Sequence, residues 1–213
     1  MRKKLSKIQK FYIADGHHRY SAIENLNKKK NLNKNKKGKI NLLAAIFDEH
    51  SVNILSFHRL AKFKNFNQQK IIQALKKKFK LEKKLKFKNP CDPGSVMIYL
   101  NKTWYNVSLT SNKKLYTKYE TDTDIVEKIM INSIIKKQCN CSLVNLSNIP
   151  GKFDHKKLAN EVDKGLADIG FFICPLPMKK IMSIADKGKI VPKKSTYFDP
   201  KPADGLVNLL MDI

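Results

Sequence analysis

Arginine is nearly missing from a strongly basic chain. The 213 residues carry a formal net charge of +25, yet only Arg2, Arg19 and Arg59 are arginine among 43 basic residues. Arginine is the side chain that reads phosphate and base edges bidentately. Its scarcity argues against a dedicated nucleic-acid surface, so nucleic acid is kept as an alternative partner and not the favoured one. Lysine comes with abundant Asn and Ile, as in the run Asn25 to Lys39. That is the pattern of coding drift in a genome rich in A and T, filling solvated positions. Cysteine is sparse too: Cys91, Cys139, Cys141 and Cys174. Cys139-Asn140-Cys141 has one intervening residue and no second pair follows, so zinc spacing is excluded and reduced thiols are expected. Long apolar runs are missing. The longest, Leu42 to Phe47 and Ile169 to Cys174, are strand-sized, so no membrane partner is expected. No apolar segment follows the basic start Met1 to Lys10, so no secretory signal is read and a cytoplasmic protein is expected. Repeats and clear linkers are missing as well. A hydrophobic content of 42% still demands a packed core.

What is present is concentrated in six residues, Ala14-Asp15-Gly16-His17-His18-Arg19. They follow Phe11-Tyr12-Ile13 and open an amphipathic stretch with Tyr20, Ile23 and Leu26. The pattern predicts a strand over 11–15, a tight turn and a helix over 17–27. A helix N-terminus favours anions, because its first N–H groups are unpaired and the dipole is positive there. Arg19 can clamp phosphate oxygens, and Gly16 lets the backbone approach. His17 and His18 are candidates for general acid–base transfer or further phosphate contact. Asp15 can hold Mg²⁺ through water, orient an imidazole, or serve only as the helix N-cap.

Along the rest of the chain, residues 28–38 read as an exposed Lys/Asn loop. Residues 40–48 read as a buried apolar strand, and 52–57 as a second strand ending in Phe57-His58-Arg59. Asn67 caps a helix whose apolar face is Ile71, Ile72, Leu75 and Phe79. Leu81, Leu85 and Phe87 form an alternating patch. Val96 to Leu100 and Thr103 to Leu109 read as a hairpin turning at Asn101-Lys102. Asp124 and Glu127 form a capping box for a helix burying Val126, Ile129, Met130 and Ile134. A helix over 155–165 turns Leu158 and Val162 inward. An apolar strand, Ile169 to Cys174, precedes a helix from Pro177 that stops at Gly188. The apolar run Leu206 to Met211 is expected to return to the core. The fold class is α/β (α+β), a mixed sheet with flanking helices, with a lobe break near 111–123.

A second long motif stands near the end: Pro192-Lys193-Lys194-Ser195-Thr196-Tyr197-Phe198-Asp199-Pro200-Lys201. With the first motif, the His58-Arg59 pair and Gly170-Phe171-Phe172-Ile173-Cys174-Pro175, it makes the chain resemble the domain of unknown function 1015 family from about residue 11 to the end. The first motif is also similar to the phosphate-binding element of the ParB/sulfiredoxin-like superfamily, which includes free-serine kinases, CTP-binding chromosome-partitioning proteins and sulfiredoxin.

The resemblance implies a ParB/sulfiredoxin-like core and a single family domain over 1–213. It implies phosphoryl transfer on, or binding of, a small phosphorylated or hydroxyl metabolite such as serine or phosphoserine, with ATP or ADP and Mg²⁺. Asp15, His17 and His18 would be the catalytic groups. Gly16, Arg19, His58, Arg59, Lys194, Ser195 and Thr196 would bind the cofactor. Family members carry a long segment before the first motif, where the kinases hold an essential acidic residue. Only ten residues precede Phe11 here, so a separate N-terminal fragment is an expected partner. The alternatives are a non-catalytic nucleotide- or nucleic-acid-binding module and an inactive remnant.

Overall fold

The structure is a computed structural model, and it describes residues 5–32, 42–89 and 92–202. The chain divides into two compact units, Met1–Asn53 with Phe198–Ile213, and Ile54–Tyr197.

The second unit is built on a six-stranded sheet. Strand β1 (Asn53–Leu55) leads into β2 (Phe57–Lys64), and helix α1 (His17–Leu32) belongs to the first unit. Then follow α2 (Gln68–Lys76), β3 (Lys80–Lys84), β4 (Ser95–Leu100), β5 (Thr103–Ser108) and the short α3 (Lys113–Tyr116). Helix α4 has an α-wound first turn, Asp122–Asp124, and a π-wound body, Ile125–Gln138. Strand β6 (Ser142–Pro150), α5 (His155–Asp163), β7 (Ile169–Ile173), α6 (Met178–Asp186) and β8 (Tyr197–Asp199) follow among the described residues. The sheet order is β3-β5-β4-β7-β2-β6, and every ladder is antiparallel. The expected class, a sheet with flanking helices, is the one observed.

Strand alternation gives this sheet two buried faces. Ala61, Ile98 and Phe171 face one way, under Ile71 and Leu75 of α2 and Ile125, Met130 and Ile134 of α4. Leu60, Met97, Tyr99 and Phe172 face the other way, under Leu158 and Val162 of α5. Each aliphatic side chain removed fully from water contributes about 1.5–3 kcal/mol. Gly170 is required on the α5 face. A Cβ there would stand 2.3 Å from Leu158 Cδ2, so only glycine lets α5 sit this close.

Local chemistry explains most boundaries. Asn67 Oδ1 accepts the Lys70 N–H and starts α2. Asn101 and Lys102 both take positive φ, 44° and 54°, as a two-residue hairpin turn requires. Gly165 and Gly188, with φ of 73° and 66°, follow α5 and α6.

Several expectations are corrected. Residues 11–15 form no strand. Of the run read as a buried strand, residues 42–48 form none, and Leu42, Leu43, Ile46 and Phe47 stay 45% to 53% exposed. An apolar run becomes a strand only where a partner supplies hydrogen bonds, and no described strand pairs with it. Helix α1 continues through Leu32, into the segment read as a loop. Phe57-His58-Arg59 opens β2 and does not end a strand. Leu85, placed in the alternating patch, is 98% exposed beyond the end of β3.

The N-cap of α4 is Thr121, whose Oγ1 accepts the Asp124 N–H at 3.1 Å, and not Asp124. The body of α4 winds with π geometry, so its buried residues recur at five and four: Ile125, Met130, Ile134 and Val126, Ile131, Ile135. Ile129, expected on the buried face, is only partly covered. The remainder of the 28–38 loop and the run 206–211 lie outside the described residues.

Candidate functional site

In the first unit the Asp15-Gly16 turn meets α1. Gly16 sits at φ +78°, a left-handed conformation that glycine adopts without strain. Its carbonyl accepts the Tyr20 N–H at 3.0 Å, the first bond of the helix. His17, His18 and Arg19 form the exposed first turn, which holds no acidic residue. The first backbone N–H groups of a helix have no intrahelical partner. The Arg19 guanidinium folds back over the turn. A Cβ on Gly16 would stand 3.2 Å from Nη2 and 3.3 Å from Nε of Arg19, so glycine leaves room for that cation.

Asp15 is engaged at both oxygens. Oδ1 accepts the Gly16 N–H at 2.8 Å, and Oδ2 accepts from Lys201 Nζ at 2.5 Å. The Lys201 hydrogen bond, above all, holds the Asp15 carboxyl below the usual carboxylate range; partial burial opposes it, and the Gly16 N–H and the Arg19 charge assist. Among the described residues no group of three or more His, Cys, Asp or Glu side chains could hold a metal ion.

In the second unit His58 and Arg59 are adjacent on β2 and therefore point to opposite faces of the sheet. His58 is 2% exposed and stacks on Phe172, with ring centroids 3.7 Å apart. Its Nδ1 accepts the Ile173 N–H at 3.2 Å, which places the proton of the neutral ring on Nε2. That Nε2 is buried and has no partner among the described residues. Burial first, and the Arg59 charge second, lower its pKa to about 3.

Arg59 lies on the α4 face and is 1% exposed. Its Nε donates to Glu127 Oε1 at 2.7 Å, Nη1 to the Phe57 carbonyl at 3.0 Å and Nη2 to the Lys193 carbonyl at 3.3 Å. One guanidinium thus ties together β2, α4 and the second motif.

The rest of that motif follows from this anchor. Lys194 takes φ 54° and places Nζ 5.3 Å from the Phe57 ring centroid. Ser195 is 4% exposed, and its Oγ has no described hydrogen-bond partner. It lines a small pocket with Thr121, Asp122, Cys174 and Leu176. Thr196 is half-buried. Asp122 Oδ2 accepts the Gly94 N–H at 2.7 Å, and burial raises its pKa to about 6.

The structure therefore brings the predicted residues together in two sets. Asp15, Gly16 and Arg19 join Lys201 in the first unit. His58 and Arg59 share a strand with the anchor of Lys193 to Thr196 in the second. Three residues escaped sequence reasoning. Glu127 had been read as a capping partner; its signal was the carboxylate that a buried Arg requires. Asp122 carried no signal of its own. Lys201 stood inside the second motif, but nothing in the spacing tied it to Asp15.

Residues 1–132 match the family described as "Protein of unknown function (DUF1015)". No curated protein sequence matches the chain. Similar solved structures include a conserved hypothetical protein from Pyrococcus furiosus, at 16% identity and a TM-score of 0.47, covering 90% of this chain and 71% of that one. A free serine kinase in complex with AMP has 16% identity and a TM-score of 0.45, covering 87% and 66%. SbnI with a C-terminal truncation, from Staphylococcus aureus, has 18% identity and a TM-score of 0.49, covering 88% and 62%. This family match, over more than half of the sequence and including the whole first motif, places the chain in the DUF1015 family.

Proposed function

We propose that the chain binds a nucleotide or small-molecule phosphate at the N-terminus of α1 and serves phosphoryl transfer on a small hydroxyl metabolite such as serine or phosphoserine. The observation that carries this reading is the glycine turn at the head of a 16-residue helix, with the Arg19 guanidinium folded over it. Backbone N–H groups, a helix dipole and a planar cation converge there, which is the donor set a phosphate monoester requires. His17 and His18 stand in the same turn and are the candidate acid–base groups. Asp15 orients the turn through the Gly16 N–H. In the second unit Arg59 serves as a strut.

Calorimetric titration with ADP, ATP and phosphoserine tests the reading. The protein is expected to bind one of them, and Arg19→Ala to weaken that binding about tenfold to a hundredfold, the range for a lost charge-assisted hydrogen bond. Absence of binding by the unaltered protein, also with an N-terminal fragment of a longer family member supplied, would sink the proposal.

The net charge of +25 favours one second reading, a non-catalytic nucleic-acid-binding module. Counterion release then demands DNA affinity that falls steeply with salt. A flat or missing salt response removes this alternative.

A further inference from the structure

We infer that Lys201 is a positioning residue of the α1 anion site, neutralising and fixing Asp15 so that a phosphate can enter beside it. The inference rests on the phosphate reading above. Asp15 poses a problem for that reading. A carboxylate at the mouth of a helix N-terminus occupies one of its N–H donors, here that of Gly16, and repels an incoming anion. The structure places a cation on its other oxygen. Lys201 Nζ is 2.5 Å from Asp15 Oδ2, across 186 residues of sequence, so the last residue of the second motif meets the first.

Stability does not account for this pair. Its side chains are 40% and 60% exposed, and ion pairs in such surroundings contribute little to folding. Its effect is electrostatic and local. With Lys201 present the turn offers Arg19, the helix dipole and a neutralised carboxylate; without it, the Asp15 charge is balanced only by the Gly16 N–H and the more distant Arg19. Lysine suits this task because its ammonium is a compact charge on a flexible stem, able to lean from Asp15 toward a bound phosphate.

The test measures ADP affinity by calorimetry for the unaltered protein, Lys201→Ala, Lys201→Arg and the double variant Lys201→Ala/Asp15→Asn, with thermal melts to verify folding. Lys201→Ala is expected to weaken ADP about tenfold at pH 7.5. Lys201→Arg should hold affinity within about threefold. In the double variant the carboxylate charge is gone, and affinity should recover. Acidification should also restore binding to Lys201→Ala, at a higher pH than Asp15 titrates in the unaltered protein. A contact that only braced the turn would not be rescued by Asp15→Asn. If Arg19→Ala loses ADP while Lys201→Ala binds it normally, or if Asp15→Asn fails to rescue, the role of Lys201 is refuted and the phosphate site stands. If the unaltered protein binds neither ADP nor phosphoserine, the phosphate reading falls and takes this role with it.

Discussion

His18-Arg19 and His58-Arg59 are the same dipeptide in opposite surroundings. The first opens a helix, and both of its side chains face solvent. The second opens a strand, and alternation sends its two side chains into two different cores, where both are almost fully buried. Arg19 sits beside a glycine that keeps its space open, whereas all three guanidinium nitrogens of Arg59 are bonded to the protein itself. A buried arginine with each of its nitrogens bonded to the protein acts as architecture, and an exposed one at a helix N-terminus is available to a ligand. Residue type alone cannot tell these uses apart; the period of the backbone around it can.

The largest effect that would break this contrast is Arg59→Ala. It strips Glu127 of its counter-ion, removes the Arg59 bond to the Lys193 carbonyl and leaves the Phe57 carbonyl only the long bond from Ser56 Oγ, so unfolding in urea should show a loss of about 3–5 kcal/mol. A loss under about 1 kcal/mol would show that Arg59 is no strut.

The next effect concerns pH. The folded pKa of His58, about 3, lies below its ordinary 6.5. The unfolded chain therefore takes up the proton first, and the stability from keeping the ring neutral is full above pH 6.5 and lost as pH falls toward 3. Asp122 runs the other way. Its folded pKa, about 6, lies above the ordinary 3.8, so acidification from 6 to 3.8 relieves a buried charge. The two slopes oppose each other and are read as differences. From pH 6 to pH 4, His58→Gln should gain about 2 kcal/mol relative to the unaltered protein, and Asp122→Asn should lose about as much. Parallel pH–stability curves for all three proteins would contradict both assignments.

The smallest effect completes the comparison. Arg19→Ala should change stability by less than about 0.5 kcal/mol, because an exposed side chain at a helix head contributes little to the fold. A thermal melt coinciding with that of the unaltered protein, together with weakened ADP binding, would separate ligand contact from support.

Much of the second unit was legible because its signals are local. Asn67 capping α2, the Asn101-Lys102 turn, the inward Leu158 and Val162, and the stop at Gly188 each involve neighbours a few residues apart. The failures have two causes, dependence on distant partners and an unexpected period. The run from Leu42 to Phe47 is apolar enough for a buried strand, but a strand is a statement about pairing, which composition does not contain. On α4, Val126, Met130 and Ile134 are buried as expected, but Ile129 was misplaced because a spacing of three and four was assumed where the helix winds at five and four. In the candidate site, Gly16 and Arg19 were visible as a motif. The union of Asp15 with Lys201 was not, since 186 residues separate them.

That union also has a consequence in time. Translation proceeds at about 5–20 residues per second, so roughly ten to forty seconds pass between the synthesis of Asp15 and that of Lys201. The second unit, one uninterrupted stretch from Ile54 to Tyr197, is made entirely within that interval. The nascent chain therefore carries its first motif without Lys201 throughout that interval, and a ribosome stalled before Lys201 would display a turn whose Asp15 carboxylate still lacks its ammonium partner.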